Sequence, residues 1–322
     1  MTKILIISNK SDVTSDFIVK KLKERHIDFY RFNTEELLNT CSLTIDYTTN
    51  EISIVDLPSK HRIDLTNFTS IYFRRPEIPL FNAYDINKAE KQFLRNEFAY
   101  TLEGIYKLLR NAFWISPLYA IREAENKIYQ LELAKSIGFR IPNTIITNSY
   151  DDFLRFYKIN NRDCIIKPIK SGLIESKKKS KVIFTSVIKE KSRSRREFEI
   201  SPNLFQEHIY KKGDIRVIIV GNKVFATLIH SQENPQTKID WRRGENLLKH
   251  SKIEIPSAIL TLCHRLISKL NLRFGAIDLI LDINDNYYFL EINPNGQWAW
   301  IEKQTGYKIS DEIVNLLEHE DN

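Results

Sequence analysis

Two apolar runs near the C-terminus carry acidic side chains at positions that strongly constrain the fold. Residues 274–298 read FGAIDLILDINDNYYFLEINPNGQW, a pattern typical of two antiparallel strands. We predict a two-residue turn at Asn284 and Asp285. In that register Asp278 lies directly opposite Glu291. Like charges that face each other across a ladder are destabilising, so the placement requires a chemical reason.

The residues around this pair point to a metal. Ile277 and Leu279 indicate that Asp278 lies in a largely buried strand, where two carboxylates raise each other's pKa unless a cation lies between them. Asn293 shares a strand face with Glu291, because the two positions are two apart. Two carboxylates and an amide, without His or Cys, suit Mg²⁺ or Mn²⁺. We therefore predict a metal site at these three residues; a turn-rich hairpin with two solvated acids is the alternative.

The net charge of +7, from 48 basic and 41 acidic residues, is concentrated in one segment. Residues 167–196 contain 11 basic and 2 acidic residues, whereas residues 261–322 contain 5 and 10. A basic segment is compatible with nucleic-acid binding, or with a site for phosphates and acidic substrates. For most lysines of the runs at 177–181 and 189–196 we expect an ordinary solvated loop.

Two lysines are candidates for binding phosphate. Lys167 ends an apolar strand before Pro168, so it is expected to project into a cleft as a point charge. Ser171 and Gly172 follow and offer free backbone N–H groups. Lys127 lies in the first turn of a predicted helix, where the helix dipole disfavours a cation, and this misplacement weakly favours a function. An exposed strand end is the plain alternative for Lys167.

The remaining pattern predicts a soluble, cytoplasmic α/β and α+β protein. No run approaches the roughly 20 apolar residues of a spanning helix, and the cysteines lack metal or disulfide spacing. The segment 205–209, FQEHI, alternates polar and apolar residues and could read an adenine ring through its backbone; an amphipathic edge strand fits equally well. We predict strands at 4–7, 29–32, 43–47, 52–55, 70–73, 165–168, 204–209, 214–220, 223–229, 275–281 and 287–293, and helices at 14–25, 87–110, 122–138 and 259–270.

Together these residues resemble the ATP-grasp superfamily of carboxylate ligases, over nearly the whole chain. The resemblance implies an N-terminal α/β (pre-ATP-grasp) domain at 1–118 and two α+β lobes, at 119–203 and 204–322, that grip ATP. The phosphate loop departs from the family pattern, because Gly172 is followed by a lysine-rich run instead of further glycines. The residues that match ATP-binding positions are Lys127, Lys167, Gln206, Glu207, His208 and Ile209, and those that match the metal set are Asp278, Glu291 and Asn293.

Five ordered strings look closer to one branch, the ATP-grasp maturases that macrocyclise ribosomal peptides of the microviridin or graspetide type. The strings are IYFRRPE at 71–77, ENKIYQLELAKSIGFRIPNT at 125–144, KGDIRVIIVGNKVFA at 212–226, DWRR at 240–243 and LEINPNGQWAWIE at 290–302. This resemblance implies phosphorylation of an Asp or Glu side chain of a precursor peptide. A Ser or Thr hydroxyl, or a Lys amine, of the same peptide then forms an ester or amide ring.

The resemblance also implies roles for several charged residues. Arg216 joins Lys167 at the transferring phosphoryl group, and Arg242 does the same or binds the substrate carboxylate. Asp214 orients Arg216 or accepts the nucleophile's proton, although a plain ion pair between the two is the alternative. Arg74 and Arg75 end a strand at Pro76, and one of them is expected to contact the acidic peptide or its leader. Ordinary surface cations are the alternative for that pair.

Two other functions remain open at this point. A RimK-like ligase that adds an amino acid to a carboxylate would share every ATP and metal residue. A basic nucleic-acid-binding module explains the charge of 167–196 but leaves the acidic hairpin unexplained. Trp298 and Trp300 follow the metal strand and either line the site or fill the core. Expected partners are a precursor peptide with an acidic core and a leader, with neither membrane nor nucleic acid, and relatives imply a homodimer.

Overall fold

The N-terminal third forms a parallel sheet in which the first strand is apolar and buried. The computed structural model describes residues 2–81, 84–170, 172–174, 181–189, 194–244 and 248–318. The first elements are β1 Lys3–Ser8, α1 Val13–Glu24, β2 Asp28–Asn33, β3 Cys41–Asp46, β4 Glu51–Asp56, β5 Arg62–Asp64, β6 Ser70–Phe73, α2 Lys88–Leu108 and β7 Phe113–Ile115. Parallel strands run in the order β2-β1-β6-β7, and the apolar run of β1 is fully buried, as predicted. The predicted hairpin is confirmed as β3 and β4, to which β5 adds a third strand.

The middle of the chain contains a four-stranded antiparallel sheet, ordered β12-β9-β13-β8. Its strand β9 ends at Lys167, as predicted. The elements are α3 Leu118–Ala124, α4 Lys127–Ile137, β8 Thr144–Thr147, α5 Tyr150–Ile159, β9 Cys164–Lys167, β10 Leu173–Ile174, β11 Lys181–Val182, β12 Ser186–Ile188, α6 Arg195–Glu199 and β13 Asn203–Glu207.

The single helix predicted from Arg122 to Gly138 is wrong, because the structure contains two helices there. Helix α3 ends before Asn126, and the Asn126 side chain accepts hydrogen bonds from the backbone N–H groups of Ile128 and Tyr129. An asparagine at this position starts a new helix because it satisfies donors that have no partner in the first turn. Gly138 does end α4, with a φ of 108° that glycine adopts readily.

The last third is an antiparallel sheet covered by helices, ordered β16-β15-β14-β17-β18. Its apolar strands β14 and β17 are central and almost wholly buried. The elements are β14 Lys211–Val220, β15 Lys223–Ile229, β16 His250–Lys252, α7 Ser257–Lys269, β17 Phe274–Asp282, β18 Tyr287–Asn293, α8 Ala299–Thr305 and α9 Ile309–Glu318.

The hairpin of β17 and β18 pairs the two acidic residues as predicted, but through a different turn and register from those expected. Asp278 does lie opposite Glu291. However, Leu281 pairs with Tyr287, and the backbone N–H of Asp282 donates to the carbonyl of Asn286 at 2.9 Å, so the turn at 283–285 contains three residues instead of two. A bulge at Leu290 shifts the register by one residue and restores the pairing. Two departures from the simple hairpin therefore cancel at the acidic pair.

The first and last sheets share a hydrophobic core. Ile4 and Ile6 of β1 belong to one buried cluster with Ile218 of β14 and with Trp298. Helix α9 returns to the N-terminal sheet, where the Ser70 hydroxyl donates to the carbonyl of Leu317 at 2.7 Å. The C-terminal strands are therefore held in a defined position relative to the first sheet. None of the helices in the described ranges has the length and apolar character that spanning a membrane requires.

Candidate functional site

A cavity of about 670 Å³ collects nearly all the residues that the sequence marked. Its walls come from the middle sheet, from the C-terminal sheet and from the start of α4. Arg74 is the exception among them. The predicted site residues that line it are Arg75, Lys127, Lys167, Gln206, Glu207, His208, Ile209, Asp214, Arg216, Arg242, Asp278, Glu291 and Asn293.

Three charged residues form a single row across the C-terminal sheet. Arg216 of β14 pairs with Asp278 of β17, which pairs with Glu291 of β18. Arg216 Nη1 donates to both Asp278 carboxylate oxygens, at 2.7 and 2.6 Å. Lys127 Nζ lies 2.8 Å from Glu291 Oε2. This charge row, Arg216–Asp278–Glu291, follows directly from the strand order, because cross-strand neighbours on one face lie side by side.

The surroundings shift the pKa values of the two carboxylates of the charge row in opposite directions. Burial raises the pKa of Asp278, even though Arg216 opposes the shift. Burial also acts to raise the pKa of Glu291, but Lys127, Arg242 and Lys167 together bring it below its ordinary value. Glu291 is therefore the more firmly ionised acid, and both carboxylates already face cationic side chains.

Lys167 lies in an unusually cationic part of the cavity. Burial and the neighbouring Lys127 and Lys211 lower its pKa to about 8, although Glu291 and Asp240 act in the opposite direction. An ammonium held among other cations lacks compensation until an anion enters. The arrangement is therefore suited to a polyanionic ligand such as a chain of phosphates.

The predicted metal ligands converge at the end of the hairpin. Asn293 Nδ2 lies 3.5 Å from Asp278 Oδ2 and 3.5 Å from Glu291 Oε1. The part of the chain that the structure describes contains no group of three or more His, Cys, Asp or Glu residues arranged to hold a metal ion, and this site itself offers two carboxylates and one amide. Two carboxylates and one amide oxygen form a hard, oxygen-only donor set, which fits Mg²⁺.

Arg242 is held in place by a residue that the sequence argument passed over. Its guanidinium makes a bidentate pair with Asp240, at 2.8 and 2.7 Å. Asp240 is buried, but Arg242 and the backbone N–H of Thr185 overcome that burial and lower its pKa to about 2. Arg242 itself is half exposed at the cavity wall. The DWRR string contained the signal, because an acid two residues before an arginine can orient it.

The expected contact between Asp214 and Arg216 is absent, and this prediction is corrected. Asp214 pairs instead with Lys211, whose Nζ lies 2.8 Å from Asp214 Oδ1. Arg216 is engaged by Asp278 on the neighbouring strand. The second carboxylate oxygen of Asp214 is buried without a partner among the described residues, in a side chain that lines the cavity. Lys211 is a site residue that the sequence analysis missed.

The predicted adenine segment is a central strand of the middle sheet followed by a short connection. The carboxylate of Glu207 accepts from the backbone N–H and the side-chain amide of Asn143, so it has structural partners. His208 Nδ1 lies 3.1 Å from Asp163 Oδ1, and its ring packs against Tyr210. The alternative of an edge strand is wrong, because β13 pairs with both β8 and β9.

The two arginines after β6 have different surroundings. Arg74 is 2% exposed, and its Nη1 donates to the carbonyls of Asn295 and Gly296 at 2.9 and 3.0 Å. Its Nε lies 3.5 Å from Asp12. The sequence named one of the two arginines as a peptide contact, and Arg74 is corrected in that role, since its side chain is buried and is not part of the cavity lining. Arg75 lines the cavity and remains the candidate.

The two tryptophans after β18 also differ. Trp298 is fully buried, and its indole N–H lies 3.3 Å from the hydroxyl of Tyr72. Trp300 lines the cavity and packs against Trp241, with 5.5 Å between ring centroids. Trp298 therefore fills the hydrophobic core, and Trp300 lines the site.

The proposed phosphate loop is described only in part. Ser171, residues 175–180 and residues 190–193 lie outside the described residues, and with them most of the two basic runs. Gly172 is described, and its carbonyl accepts from the backbone N–H of Ile183 at 2.7 Å. An added Cβ at Gly172 would collide with the Ile183 carbonyl oxygen, so this position requires glycine for close backbone approach.

Comparison with known proteins agrees with this geometry. Residues 3–122 match the MvdD pre-ATP-grasp domain, and residues 124–317 match the RimK-like ATP-grasp domain. A search of curated proteins returned no match. The structure is similar to the RiPP-associated ATP-grasp ligase of Chryseobacterium gregarium, solved in complex with ADP and a leader and core peptide. The two share 28% identity and a TM-score of 0.90, over 100% of this chain and 99% of that one.

Two further solved structures show the same fold at lower identity. The macrocyclase MdnC of Microcystis aeruginosa MRC, bound with precursor peptide MdnA, is 22% identical, with a TM-score of 0.86 over 99% of both chains. The ATP-grasp ligase PsnB, complexed with a phosphomimetic variant of minimal precursor, Mg and ADP, is 19% identical, with a TM-score of 0.79 over 99% of both chains. The RimK-like ATP-grasp match covers more than half of the chain, so the predicted superfamily is confirmed. The protein belongs to the RimK-like ATP-grasp family and carries an MvdD-type pre-ATP-grasp domain at its N-terminus.

Proposed function

We propose that this protein is an ATP-dependent ligase that forms ester or amide rings in a ribosomal precursor peptide. The observation that carries the proposal is the cavity in which Lys127 and Lys167 face the charge row. The similar protein from Chryseobacterium gregarium, which aligns over 99% of its own chain, is a RiPP-associated ATP-grasp ligase solved in complex with ADP and a leader and core peptide.

The reaction consists of two balanced steps. The γ-phosphoryl group of ATP passes to an Asp or Glu side chain of the peptide, giving an acyl phosphate and ADP. A Ser or Thr hydroxyl, or a Lys amine, then attacks the acyl carbon, the nucleophile loses a proton and phosphate leaves. Each ring therefore removes one water from the peptide overall.

The cations of the cavity bind the charged groups of this reaction. Lys127 and Lys167 hold the phosphates, and Arg216 and Arg242 stabilise the transferring group or bind the substrate carboxylate. Arg242 is oriented for this by the bidentate pair with Asp240. Such preorganised charges lower a phosphoryl-transfer barrier because they need not reorganise as charge develops.

A divalent cation completes the site. Asp278, Glu291 and Asn293 would hold Mg²⁺, or Mn²⁺, and the bound ion would offset charge on the ATP phosphates. In the present arrangement Arg216 occupies the Asp278 carboxylate, so it is the side chain whose contacts change most when that carboxylate serves another cation.

Two further residues are assigned by their position. Asp214 has a carboxylate oxygen without a partner among the described residues, in a cavity-lining side chain, and it accepts the proton of the attacking hydroxyl or amine. Arg75 lies beside Arg74 and Arg216, and burial together with these neighbours lowers its pKa. A carboxylate would relieve that repulsion, so Arg75 binds an acidic side chain of the peptide.

The remaining assignments rest on the same resemblance. The three-part division at 1–118, 119–203 and 204–322, a leader-bearing partner with an acidic core, and a homodimer belong to this proposal. His208 and the backbone of Glu207 and Ile209 surround the base of the nucleotide.

The test combines one variant with one mass measurement. Purified protein is incubated with ATP, Mg²⁺ and an acidic-core peptide encoded near its gene, and the product masses are measured by mass spectrometry. We expect the peptide to lose the mass of one water per ring, and Glu291→Gln to abolish this loss and ATP turnover while circular dichroism is unchanged. A gain of one amino-acid residue would instead identify a RimK-like amide ligase, and normal turnover by Glu291→Gln would remove the metal assignment.

A further inference from the structure

The connection from β11 to β12 in the middle of the chain is bound by residues 240–243, which lie between β15 and β16 of the C-terminal sheet. The backbone N–H of Thr185 donates to Asp240 Oδ2 at 3.0 Å. Arg243 Nη2 donates to the carbonyl of Thr185 and to the hydroxyl oxygen of Ser186, both at 2.7 Å. These three hydrogen bonds form the Thr185 contact, in which both backbone groups of one residue are bound by the other segment.

Arg243 takes part in this contact through the shape of its guanidinium group. Besides the two acceptors of Nη2, the guanidinium carbon lies 5.5 Å from the centroid of the Phe184 ring. A planar group can meet several acceptors and an aromatic face together, which an ammonium group does poorly. Arg243 is not part of the cavity lining, whereas its neighbour Arg242 is. The contact therefore gives Arg243 a structural task beside the site and no direct contact with a ligand in it.

Asp240 connects the Thr185 contact to the cavity. Its Oδ2 accepts from the backbone N–H of Thr185 and also from Arg242 Nη2, at 2.7 Å. Its Oδ1 accepts from Arg242 Nε at 2.8 Å and from the Arg242 backbone N–H at 3.2 Å. Because one oxygen serves both neighbours, a displacement of Thr185 moves the carboxylate that orients Arg242. The pair uses Nε and one proton of Nη2, so the Nη1–Nη2 edge of Arg242 is left for a ligand.

The connection is also fixed on its other side, beside the proposed phosphate loop. The backbone N–H of Ile183 donates to the carbonyl of Gly172 at 2.7 Å. A Cβ on Gly172 would lie 2.1 Å from the Ile183 carbonyl oxygen, so the two backbones are in close contact. Thr185 itself is 6% exposed. The connection is therefore a firm support for Asp240, provided that residues 240–243 are held against it, and Arg243 supplies two of the three hydrogen bonds that do so.

We propose that Arg243 is a positioning residue for Arg242: it holds residues 240–243 against Thr185, so that Asp240 directs the Arg242 guanidinium at a carboxylate of the peptide. The inference rests on the proposed binding of an acidic peptide in the cavity. An arginine binds a carboxylate best through two parallel N–H···O bonds, and this geometry depends on the orientation of the guanidinium plane. Loss of Arg243 should therefore weaken recognition of the carboxylate from outside the cavity.

The experiment measures the affinity of two labelled peptides by fluorescence anisotropy, with ADP and Mg²⁺ present. One is an acidic-core peptide encoded near the gene, and the other is the same peptide with its core Asp and Glu residues changed to Asn and Gln. The affinity of the first divided by that of the second is the carboxylate ratio. We expect a carboxylate ratio of at least about tenfold for the wild-type protein. Arg243→Met should lower this ratio by at least about threefold and leave the affinity for the neutral peptide unchanged.

A double-mutant cycle tests whether Arg243 acts through Arg242. Arg242→Met should lower the carboxylate ratio, and adding Arg243→Met to it should cause no further loss. Equal losses from Arg243→Met in both backgrounds would show that the two arginines act independently, and so would overturn the inference.

Three further variants separate positioning from charge and from folding. Arg243→Lys keeps the charge without the planar group and should resemble Arg243→Met, so a wild-type ratio in the lysine variant would overturn the positioning role. Ser186→Ala removes one acceptor of the Thr185 contact and should lower the ratio in the same direction by less. Lys249→Met is the matched control, because it removes an exposed cation of the same connection outside the cavity lining, and it should keep the wild-type ratio. Melting curves confirm that each variant is folded.

The outcomes distinguish this inference from the proposed function. Absence of binding by both peptides to the wild-type protein would overturn both. A high carboxylate ratio that is unchanged in Arg243→Met would leave the ligase proposal intact and refute the role of Arg243.

Discussion

At the scale of single residues, the site works through cations that lack sufficient counter-charge. Lys167 is the clearest case, because burial and two neighbouring lysines lower its pKa to about 8. Its charge is therefore sensitive to pH in a range where other lysines stay protonated. The sequence identified Lys167 from its place at a strand end, but it could not reveal the neighbours that set its pKa. Those neighbours, Lys127 and Lys211, come from a helix and from another sheet.

This pKa predicts how nucleotide affinity depends on pH. Lys167 is largely protonated at pH 7 and largely neutral at pH 9, so ATP affinity should fall by up to about tenfold as the pH rises between these values. Binding near pH 8 should take up protons, because phosphate raises the lysine pKa. Calorimetry in buffers of different ionisation enthalpy measures both effects.

Lys167→Arg and Lys167→Ala serve as the paired variants for this prediction. The arginine stays charged throughout and should remove most of the pH dependence. The alanine should bind ATP weakly at every pH. A wild-type affinity that is constant from pH 7 to pH 9 would contradict the assigned role of Lys167.

At the scale of elements, the hairpin of β17 and β18 brings the acidic ligands together through a bulge. The sequence predicted the facing pair from a simple two-residue turn, and the real turn is one residue longer. The bulge at Leu290 compensates for the longer turn, and no local sequence pattern predicts this bulge. The turn after β18 is equally constrained, because a Cβ on Gly296 would overlap the Cβ of Ala276 and come within 2.7 Å of Arg216 Nη2.

Gly296→Ala should therefore damage the site without unfolding the protein. The added methyl group must move the turn after β18, and with it Asn293 and Arg216, so we expect ATP turnover to fall by about tenfold or more. Gly104→Ala is the matched control, because nothing lies within 4 Å of that position in helix α2. The control should keep activity and gain up to about 1 kcal/mol of stability. Equal turnover by the two variants would contradict the close-contact argument.

The break between α3 and α4 is a second feature of secondary structure that positions a site residue. Asn126 accepts hydrogen bonds from two backbone N–H groups and so places Lys127 at the first residue of α4. The sequence indicates the unusual position of Lys127, but only the structure identifies Asn126 as the cap in front of it. The helix break accounts for a lysine at the start of α4, because Lys127 in that first turn pairs with Glu291.

Asn126→Ala should lower the free energy of unfolding by about 0.5–2 kcal/mol through loss of the cap. It should also weaken ATP binding, because the helix end that carries Lys127 frays. Asn126→Asp retains a capping oxygen and should preserve stability. Urea unfolding and calorimetry test the two effects, and a stable Asn126→Ala variant would show that the cap is dispensable.

At the scale of the whole molecule, the N-terminal sheet contacts the turn that follows the metal strand. Arg74 at the end of β6 donates to the carbonyls of Asn295 and Gly296, and its Nε faces Asp12. Asp12 is itself held by the hydroxyls of Ser8 and Ser15. This buried contact joins the first sheet to the turn that comes after the metal strand.

Arg74→Met should therefore destabilise the protein far more than loss of a surface arginine. Removing Arg74 takes away the ion-pair partner of the buried Asp12, and breaking a buried pair in this way costs about 3–5 kcal/mol. Arg122→Met is the control, because Arg122 is half exposed in its pair with Glu103, and it should cost less than about 1 kcal/mol. Chemical unfolding measures both. Similar losses in the two variants would show that the Arg74 contact is not a structural link.

The sequence by itself determined the local chemistry of this protein. The apolar run of β1, the facing Asp278 and Glu291, and the lysine that ends β9 are all readable because strand periodicity and turn residues act over short distances. The tertiary structure alone decided the strand order that puts Arg216 in the charge row, the burial of Arg74 and the partner of Asp214. These depend on which strands become neighbours and which side chains exclude water, and both are properties of the packed chain as a whole.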